Sequence, residues 1–464
     1  MDLFGTAGIR GSAEERVTPE LALRVGRAAG QDGKEFVVGR DGRESGPALA
    51  AAVEAGLESA GAVVRRVGVV PTPALAFASQ GRHGVQLTAS HNPPADNGIK
   101  LFVNGVEYDR DAERRIEERV DDPPAPAAWD EWGDAETIDV IEGYIETVVG
   151  YASNHRVAPS HPSASEEPLV ETDPLSGIDV AVDCGNGMGS LATPQVLDRL
   201  GASVVTLNAS VDGHFPGRPS KPTPETLETL RAFVEDGEFD LGIAHDGDAD
   251  RVVFIDGEGA VVHEDTIVAI LAEQYVRASD ASDPVVVTTP NASGRIDERV
   301  SAASGRVERT RLGALHEGID RVRDDGGIVV FAAEPWKHIH PAHGGWIDGV
   351  ASAAVLSVLA ASAGGLSPLR EPVTERPYRK ASVECPDEGK AAAMADLERT
   401  IPEAYPDAAV STDYGVRLDF EDGSWLLVRP SGTEPYVRIY VESESVDAVL
   451  EDVRDLVERA VPDG

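Results

Sequence analysis

The stretch LGIAHDGDADRVVFI at residues 241–255 joins two apolar, strand-like runs through a loop that contains three aspartates. Asp246, Asp248 and Asp250 are spaced by two residues, and alternate side chains of an extended loop point the same way. Three carboxylates on one side of a loop can converge on a hard cation such as Mg²⁺. The stretch therefore predicts two strands with a metal-binding loop between them.

Other interpretations of this loop use the same residues. An EF-hand calcium loop is excluded, because it requires glycine where Arg251 stands and glutamate where Gly257 stands. A phosphatase of the haloacid type also places two alternating aspartates after a strand, and it stays open on spacing alone. An acidic surface turn without any ligand stays open as well.

The rest of the chain alternates apolar runs with segments rich in Ala, Leu and Glu. The apolar runs lie at residues 36–39, 63–70, 85–88, 178–184, 204–207, 241–244, 252–255, 285–288 and 328–331. This alternation predicts an α/β architecture, and near-continuous Val/Ile runs predict strands that are covered on both faces. The uncharged stretch 350–366 is too short and too weakly apolar to span a membrane, so it predicts a buried helix.

Two stretches have the composition of linkers. Residues 153–176 are rich in Pro, Ser and acidic residues, and residues 363–376 contain two glycines and two prolines. After the second linker the order changes to three strand candidates and one helix, at 414–420, 425–429, 437–442 and 445–460. This change predicts a smaller α+β domain at the end of the chain.

The net charge of the chain limits the classes of partner that it can bind. The 464 residues include 81 acidic and 41 basic side chains, for a formal net charge of −40. Because such a field repels anions, nucleic acid is excluded as a partner, and any anionic ligand must be held by a local basic pocket. Only six basic residues are lysines, which together with the acidic excess predicts a halophilic protein whose charges are screened within about 3 Å in molar salt. An apolar fraction of 41% argues against intrinsic disorder.

The cysteines and the N-terminus indicate the compartment. Cys184 and Cys385 cannot form a disulfide framework or a cysteine-based metal cage. The first residues show neither the basic nor the apolar region of a secretory signal. We therefore expect a cytoplasmic protein without a membrane partner.

Three polar motifs follow predicted strands. TASHNPP at residues 88–94 sets Ser90 beside an imidazole, and Asn-Pro-Pro fixes a geometry that would hold the serine rigidly. RPSGTEP at residues 429–435 offers an arginine, two hydroxyls and a glycine, which suit a phosphate. GRDGRES at residues 39–45 repeats this theme with two arginines. Taken singly, each motif is also compatible with an ordinary turn.

Together and in this order, the motifs are more specific. FGTAGIRG at residues 4–11, the serine motif, the acidic loop and RPSGTEP resemble the α-D-phosphohexomutase family of phosphoglucomutases, phosphomannomutases and phosphoglucosamine mutases, in its halophilic archaeal type. The resemblance runs from residue 4 to about residue 440. It implies three related mixed α/β domains and a smaller C-terminal α+β domain around a central cleft. The implied domains are 1–155 with the phosphoserine loop, 156–257 with the metal loop, 258–370 with the sugar loop and 371–464 with the phosphate loop.

The resemblance also implies the chemistry. Ser90 would be carried as phosphoserine and would donate its phosphoryl group to a sugar monophosphate; the resulting bisphosphate would reorient and return its other phosphate, so that hexose 1-phosphate and 6-phosphate interconvert. Mg²⁺ bound by a phosphoserine oxygen and by Asp246, Asp248 and Asp250 would neutralise charge at the transferring group. A hexose 1,6-bisphosphate would act as activator. The partners would be small sugar phosphates, and the enzyme would be a monomer or homodimer.

The family's motifs assign roles to further residues. Arg10 and Arg251 would lie near the phosphoserine, and Lys100 would transfer a proton beside it. His338 is a candidate proton acceptor, and Glu334 would accept hydrogen bonds from sugar hydroxyls. The other substrate contacts would come from Arg309, Arg429, Ser431, Gly432 and Thr433, the last four gripping the non-reacting phosphate.

The sugar loop departs from the family pattern. The family reads Gly-Glu-x-Ser-Gly-His, whereas residues 333–338 read AEPWKH, with Trp336 and Lys337 in place of serine and glycine. Loss of a hydroxyl partner favours broad specificity, so we expect phosphoglucomutase and phosphomannomutase activity. Phosphoglucosamine mutase is the alternative, and a non-catalytic sugar-phosphate-binding homologue is the second alternative. Trp336 would either stack on a sugar face or fill a gap under the loop.

Overall fold

The computed structural model describes residues 3–5, 8–157, 173–432 and 434–461 of the chain. These residues form two compact units. The first unit comprises Met1–Glu264 and Trp336–Leu369, and the second comprises Asp265–Pro335 and Arg370–Gly464. Among the described residues, no helix combines the length and the apolar character needed to cross a bilayer.

The first unit begins with a seven-stranded sheet. Its strands are β1 (Ile9–Ser12), β2 (Glu35–Arg40), β3 (Val63–Val69), β4 (His83–Leu87), β5 (Asp96–Val103), β6 (Val106–Glu107) and β7 (Ala135–Thr137). The order is β1-β5-β4-β2-β3-β7, with β6 paired to β5. Strands β4, β2, β3 and β7 run parallel, and β5 is antiparallel to both of its neighbours β1 and β4. Side chains that follow β2 and β4 therefore meet at one edge of the sheet.

Five helices belong to this part of the first unit. They are α1 (Pro19–Ala29), α2 (Gly46–Ser59), α3 (Thr72–Ala78), α4 (Arg110–Asp121) and α5 (Ile141–Ala152). Helix α1 begins with Thr18 as its N-cap, whose side chain accepts from the N–H of Leu21, and with a proline at its first position. The buried residues of α1, α2 and α4 form one core with those of β2, β4 and β5.

A second sheet in the first unit holds the acidic loop. Its strands are β8 (Asp179–Asp183), β9 (Ser203–Leu207), β10 (Leu241–His245) and β11 (Val252–Asp256), in the order β11-β10-β8-β9. A 3-10 turn at Met188–Leu191, helix α6 (Thr193–Arg199) and helix α7 (Glu228–Asp236) connect them. In the antiparallel β10–β11 pair, His245 lies opposite Val252, so residues 246–251 form the connection between two adjacent strands.

The second unit contains two further sheets. The first of them is parallel in the order β13-β12-β14 and comprises α8 (Glu264–Ala278), β12 (Pro284–Thr288), α9 (Gly294–Ala302), β13 (Arg306–Arg309), α10 (Leu315–Asp324) and β14 (Ile328–Glu334). After β14 the chain returns to the first unit as β15 (Lys337–Ile339) and α11 (Gly349–Ala363), which α12 (Ser367–Arg370) follows.

The last sheet of the second unit is antiparallel, in the order β16-β20-β19-β18-β17. Its elements are β16 (Tyr378–Glu384), α13 (Asp387–Ala404), β17 (Ala409–Ser411), β18 (Val416–Asp419), β19 (Trp425–Pro430), β20 (Tyr436–Glu442) and α14 (Val446–Ala460). Helices α13 and α14 share the core of this sheet. The predicted mixed α/β class with a smaller α+β segment at the end is confirmed.

Helix α11 is the buried helix predicted from its uncharged sequence. Asp348 caps it by accepting from the N–H of Ala351 (2.8 Å). The same carboxylate accepts from the hydroxyl of Tyr144 (2.8 Å) and from the indole of Trp346 (2.9 Å). At its first residue, Gly349, a Cβ would lie 2.8 Å from the carbonyl oxygen of Ala249 and 2.7 Å from that of Arg251. The start of the helix therefore lies directly against the acidic loop.

Several elements were not predicted. Strand β5 begins Asp-Asn-Gly, a turn signal, yet it pairs on both edges and buries residues 97–102. The interpretation of residues 363–376 as a linker missed the short helix α12. Most of the other predicted linker, residues 158–172, lies outside the described residues.

Candidate active site

Ser90 lies just after β4, where the chain leaves the first sheet. Its φ of 53° is in the left-handed region, which is uncommon for a residue with a side chain, and the residue is fully buried. The N–H of Ser90 donates to Thr88 Oγ1 (2.9 Å), and its Oγ donates to Asp246 Oδ2 (2.7 Å). The serine hydroxyl is thus held against the first aspartate of the acidic loop.

The three aspartates of the acidic loop converge as their spacing predicted. Asp246, Asp248 and Asp250 are buried, and they offer carboxylate oxygens that all lie within 4.8 Å of one another. Asp248 Oδ1 and Asp250 Oδ1 are buried without a hydrogen-bond partner. Because a buried carboxylate oxygen is costly unless a donor or a cation satisfies it, this donor set fits Mg²⁺.

Lys100, on β5, joins the acidic loop to the first sheet. Its Nζ donates to Asp248 Oδ2 (2.9 Å) and to Asp250 Oδ2 (2.7 Å), and all three side chains are almost completely buried. Burial opposes the charged form of Lys100, but the two carboxylates outweigh it and raise the pKa above its ordinary value. The side chain is therefore an ammonium in this arrangement.

The aspartates do not share one environment. Burial, and next the charges of Asp250 and Asp248, raise the pKa of Asp246 well above its usual range. Burial acts in the same direction on Asp250, but Lys100 and Arg251 reverse it and hold the pKa of that carboxyl below its usual range. The carboxyl that bonds Ser90 is thus the one least compensated by nearby cations.

Two arginines face the serine and the acidic loop. Arg251 Nε lies 3.8 Å from Asp246 Oδ2 and from Asp250 Oδ1, too far for a hydrogen bond. The Nε atoms of Arg10 and Arg251 are buried and make no hydrogen bond. Burial, Arg251 and Arg10 together lower the pKa of His91 to about 3, so both guanidinium charges act on the residue next to Ser90. An anionic group on Ser90 would meet these positive charges.

Residues 333–338, the predicted sugar loop, are divided between the two units. In the first unit, Trp336 has a φ of 64° and packs against the apolar cluster around Leu230 and Ile255, which supports the gap-filling interpretation over sugar stacking. Lys337 is buried, pairs through its backbone with Arg251, and helps to lower the pKa of Asp250.

His338 and Glu334 flank this loop. His338 is buried, its Nδ1 lies 3.0 Å from Ser352 Oγ on α11, and burial lowers its pKa to about 3. In the second unit, Glu334 accepts a hydrogen bond from the N–H of Gly313. Their roles as proton acceptor and as sugar ligand stay predictions.

The other predicted substrate-binding residues lie in the second unit. The guanidinium of Arg309 donates to both carboxylate oxygens of Asp297 (2.9 and 2.6 Å). Arg429 Nη2 donates to the hydroxyl of Tyr440 (2.9 Å), and Ser431 is buried beside the exposed Gly432. Thr433 lies outside the described residues.

The sequence analysis missed Thr72, the first residue of α3. Its N–H donates to the carbonyl of Asp248 (3.0 Å), and its hydroxyl donates to Asp248 Oδ2 (2.7 Å). The only local signal is the Pro-Thr-Pro sequence at 71–73, which marks a helix start and not a ligand. Asp41 and Thr88 were also missed, and Arg43 was considered only as one of two arginines in a phosphate-like motif; all three are described below.

Comparison with known proteins identifies the family of this chain. Residues 1–125, 162–259 and 382–460 match the models of domain I, domain II and the C-terminal domain of phosphoglucomutase/phosphomannomutase. These segments together span more than half of the chain and include Ser90, the three aspartates and residues 429–435.

Full-length relatives and a solved structure extend the match. The chain is 41% identical over 453 residues to a phosphopentomutase of Thermococcus kodakarensis, covering 96% of this chain and 94% of the relative. It is 41% identical over 474 residues to a probable phosphoglucosamine mutase of Methanopyrus kandleri, covering 99% and 98%. A crystal structure of a phosphoglucomutase/phosphomannomutase family protein from Burkholderia thailandensis superposes with a TM-score of 0.81 at 26% identity, over 98% of this chain and 96% of the other. The chain therefore belongs to the phosphoglucomutase/phosphomannomutase family and is a phosphohexomutase, an intramolecular phosphotransferase.

Proposed function

We propose that this enzyme interconverts the 1-phosphate and 6-phosphate of a hexose by passing a phosphoryl group through Ser90, with glucose and mannose phosphates as substrates. The observation that carries the proposal is the 2.7 Å hydrogen bond from Ser90 Oγ to Asp246, inside a buried carboxylate triad with unpartnered oxygens. A serine placed this way can hold a phosphoryl group whose charge a metal shares.

The charges around Ser90 support a phosphorylated state. Three carboxylates, Asp246, Asp248 and Asp250, lie among four cations, Lys100, Arg10, Arg251 and Lys337. A phosphoserine adds about −1.5 to −2 charges and Mg²⁺ adds two positive ones, so adding both leaves the net charge of the site nearly unchanged. When bound, Mg²⁺ would supply Lewis-acid stabilisation of the charge on the transferring group. Adding the phosphate alone would leave buried charge uncompensated.

Transfer breaks the bond between Ser90 Oγ and phosphorus and forms a bond between phosphorus and a sugar oxygen. The sugar hydroxyl loses a proton, and the serine oxygen gains one. Lys100, as an ammonium in the same buried cluster, is the proposed donor to the serine oxygen. His338 is the proposed acceptor; it is neutral at pH 7, as an acceptor must be, although a pKa of about 3 makes it a weak base. The bisphosphate then reorients and returns its other phosphoryl group to Ser90.

Residues of the second unit are proposed to bind the rest of the substrate. Arg429, Ser431, Gly432 and Thr433 would bind the non-reacting phosphate, since a guanidinium fork and exposed amides suit that group. Arg309 would make a further contact with the substrate. Glu334 would accept hydrogen bonds from sugar hydroxyls. For Arg309, that contact requires that the substrate compete with Asp297 for the same guanidinium.

A product analysis tests the proposal. The protein is incubated with glucose 1-phosphate, MgCl₂ and a trace of glucose 1,6-bisphosphate, the proposed activator, and products are separated. Formation of glucose 6-phosphate without inorganic phosphate supports the mutase, whereas release of inorganic phosphate indicates a phosphatase, and no product indicates a binding homologue. Ser90→Ala should abolish the reaction. Ser357→Ala, which removes a buried hydroxyl on α11, is the matched control.

Glucosamine phosphate is the second candidate substrate. The relative from Methanopyrus kandleri is named as a probable phosphoglucosamine mutase, and Glu334 is available to any of these sugars. The phosphopentomutase of Thermococcus kodakarensis adds a pentose phosphate to the panel. Comparison of kcat/KM for glucose, mannose, glucosamine and ribose phosphates decides the order. A preference above about 10⁴-fold for one sugar would contradict the broad specificity that we infer from residues 334–338.

Finer properties are proposed as well. We propose domain boundaries at 155, 257 and 370, a cytoplasmic location, and a monomer or homodimer in solution. The halophilic character is supported by the net charge of −40 and the small number of lysines. Size-exclusion chromatography in molar KCl measures the oligomeric state.

A further inference from the structure

Arg43 lies just after β2, at the same edge of the sheet as Ser90, and it is fully buried. Its sequence context, with two arginines in GRDGRES, suggested a phosphate ligand. The structure shows otherwise, because every N–H of the guanidinium is already directed at a protein oxygen. Nε donates to Asp41 Oδ2 (2.9 Å), and the four remaining hydrogen bonds go to main-chain carbonyls.

Those four carbonyls lie within residues 90–96, which form the loop that carries the serine and the first residue of β5. Nη2 donates to the carbonyls of Ser90 and Asn92 (2.8 Å each), and Nη1 donates to those of Pro93 and Asp96. One planar guanidinium with a fixed fork of five donors therefore fixes four peptide groups at once. A lysine, with three donors on a flexible stem, cannot reproduce this arrangement.

Asp41 extends the same network to the other side of Ser90. Its carboxylate accepts from the Arg43 N–H (3.0 Å) and from the Thr88 hydroxyl (2.7 Å), and Thr88 Oγ1 in turn accepts from the Ser90 N–H. Both peptide groups of Ser90 are thus held by one buried network. The need for it is visible in the φ of 53° at Ser90, a conformation that persists only where the surroundings impose it.

The carbonyl held by Arg43 also contacts the acidic loop. A Cβ on Gly247, between Asp246 and Asp248, would lie 2.6 Å from Ser90 O. The ring of Phe215 lies 3.3 Å from the same position and 5.1 Å from the Arg43 guanidinium. The position of the Ser90 carbonyl therefore determines how closely residues 90–96 approach the acidic loop.

We propose that Arg43, through Asp41 and Thr88, is the positioning residue that holds Ser90 in the conformation required for phosphoryl transfer. Arg43 touches neither the metal nor the substrate in this assignment; it acts through the backbone of residues 90–96. The inference rests on the proposed role of Ser90 as phosphoserine. Since a displacement of about 1 Å at a reacting group can cost about 100-fold in rate, loss of the network should lower kcat by at least that factor.

The test compares Arg43→Lys with a matched buried arginine. Arg295→Lys is the control, because Arg295 is 2% exposed, pairs with the buried Glu442 and lies in the second unit, bonded to none of the proposed site residues. For Arg43→Lys we expect kcat and the single-turnover rate of transfer from phosphoserine to fall about 100-fold, with KM changed less than threefold. Arg295→Lys should lower the Tm to a similar extent while kcat stays within a few fold of the wild type.

Each outcome decides one question. Wild-type enzyme that turns over without phosphate on Ser90 overturns the proposed function. If the wild type carries phosphate on Ser90 but the kcat of Arg43→Lys is unchanged, the positioning role alone is overturned. An equal loss of kcat in Arg295→Lys overturns it as well. If Arg43→Lys does not fold, Thr88→Val decides, because it removes the hydroxyl that joins Asp41 to the Ser90 N–H. The kcat of Thr88→Val should fall, whereas Thr88→Ser, which keeps the hydroxyl, should retain the kcat of the wild type. Normal kcat in Thr88→Val would then reject the network.

Discussion

Replacement of Asp248 by Asn isolates the metal site from the fold. Asp248 Oδ2 accepts from Lys100 Nζ (2.9 Å) and from the Thr72 hydroxyl (2.7 Å), while Oδ1 has no partner. Asparagine has the same shape but only one oxygen. If that oxygen faces Lys100 and Thr72, an amide N–H₂ faces the metal and cannot bind it; if the amide is reversed, N–H₂ meets two donors.

The expected loss of Mg²⁺ affinity follows from this conflict between the asparagine amide and its neighbours. Changes in groups that only support a metal ligand cost about 10- to 100-fold in metal affinity. Loss of one of three charged ligands should therefore cost at least about 100-fold, or about 2.7 kcal/mol. We expect the Mg²⁺ concentration for half-maximal activity to rise by this factor, with a circular dichroism spectrum like that of the wild type.

The assay is a Mg²⁺ titration of activity, backed by calorimetric titration of the protein with Mg²⁺ alone. Asp256→Asn is the matched control, because this buried carboxylate ends β11 and accepts from the N–H groups of Glu258 and Ala260 outside the triad. Its Mg²⁺ dependence should match that of the wild type. Full turnover of Asp248→Asn in the presence of a chelator would refute the metal assignment.

Three further predictions concern modification, pH and salt. Active protein should carry phosphate on the peptide that contains Ser90, visible as an added mass of about 80 Da; full activity without it, even after bisphosphate treatment, would contradict the mechanism. Burial holds the pKa of His338 at about 3 and that of His245 at about 4, both below the ordinary value of 6.5. Both imidazoles bind a proton less readily in the folded protein than in the unfolded chain, so stability is complete above about pH 6.5 and is lost as the pH falls from 6.5 to about 3. The Tm should therefore decrease between pH 7.5 and 4.5, and a constant Tm would count against this account. With a net charge of −40, self-repulsion should lower the Tm in dilute buffer relative to molar KCl, and equal midpoints would reject the halophilic interpretation.

The sequence predicted best those site residues whose spacing has a direct chemical meaning. Three aspartates spaced by two in a loop between strands converge in the structure, because strand pairing forces the loop to close over a short distance. Lys100 was found only through its motif, since its strand, β5, opens with a turn signal. Its contact with Asp248 and Asp250 joins residues about 150 positions apart, which no local pattern shows.

Arginines were the least predictable residues. The sequence shows that Arg43 carries a charge but not that its donors turn inward to carbonyls, since that depends on how residues 90–96 pack against the segment after β2. Trp336 was undecided for a similar reason, because a large side chain at a loop tip can face either the solvent or a core. Its position against the core of the second sheet depends on packing between distant segments.

Gly349 contributes no functional group, yet its place against the acidic loop makes this position intolerant of mutation. The smallest added side chain would overlap the carbonyls of Ala249 and Arg251, so the loop or the helix behind it would have to move. Helix α11 is buried along nearly its whole length and cannot yield easily, so the displacement would be passed to Asp248 and Asp250. In a saturation screen for activity, we expect position 349 to accept glycine alone, and active Gly349→Ala enzyme with unchanged Mg²⁺ affinity would show that the helix yields after all.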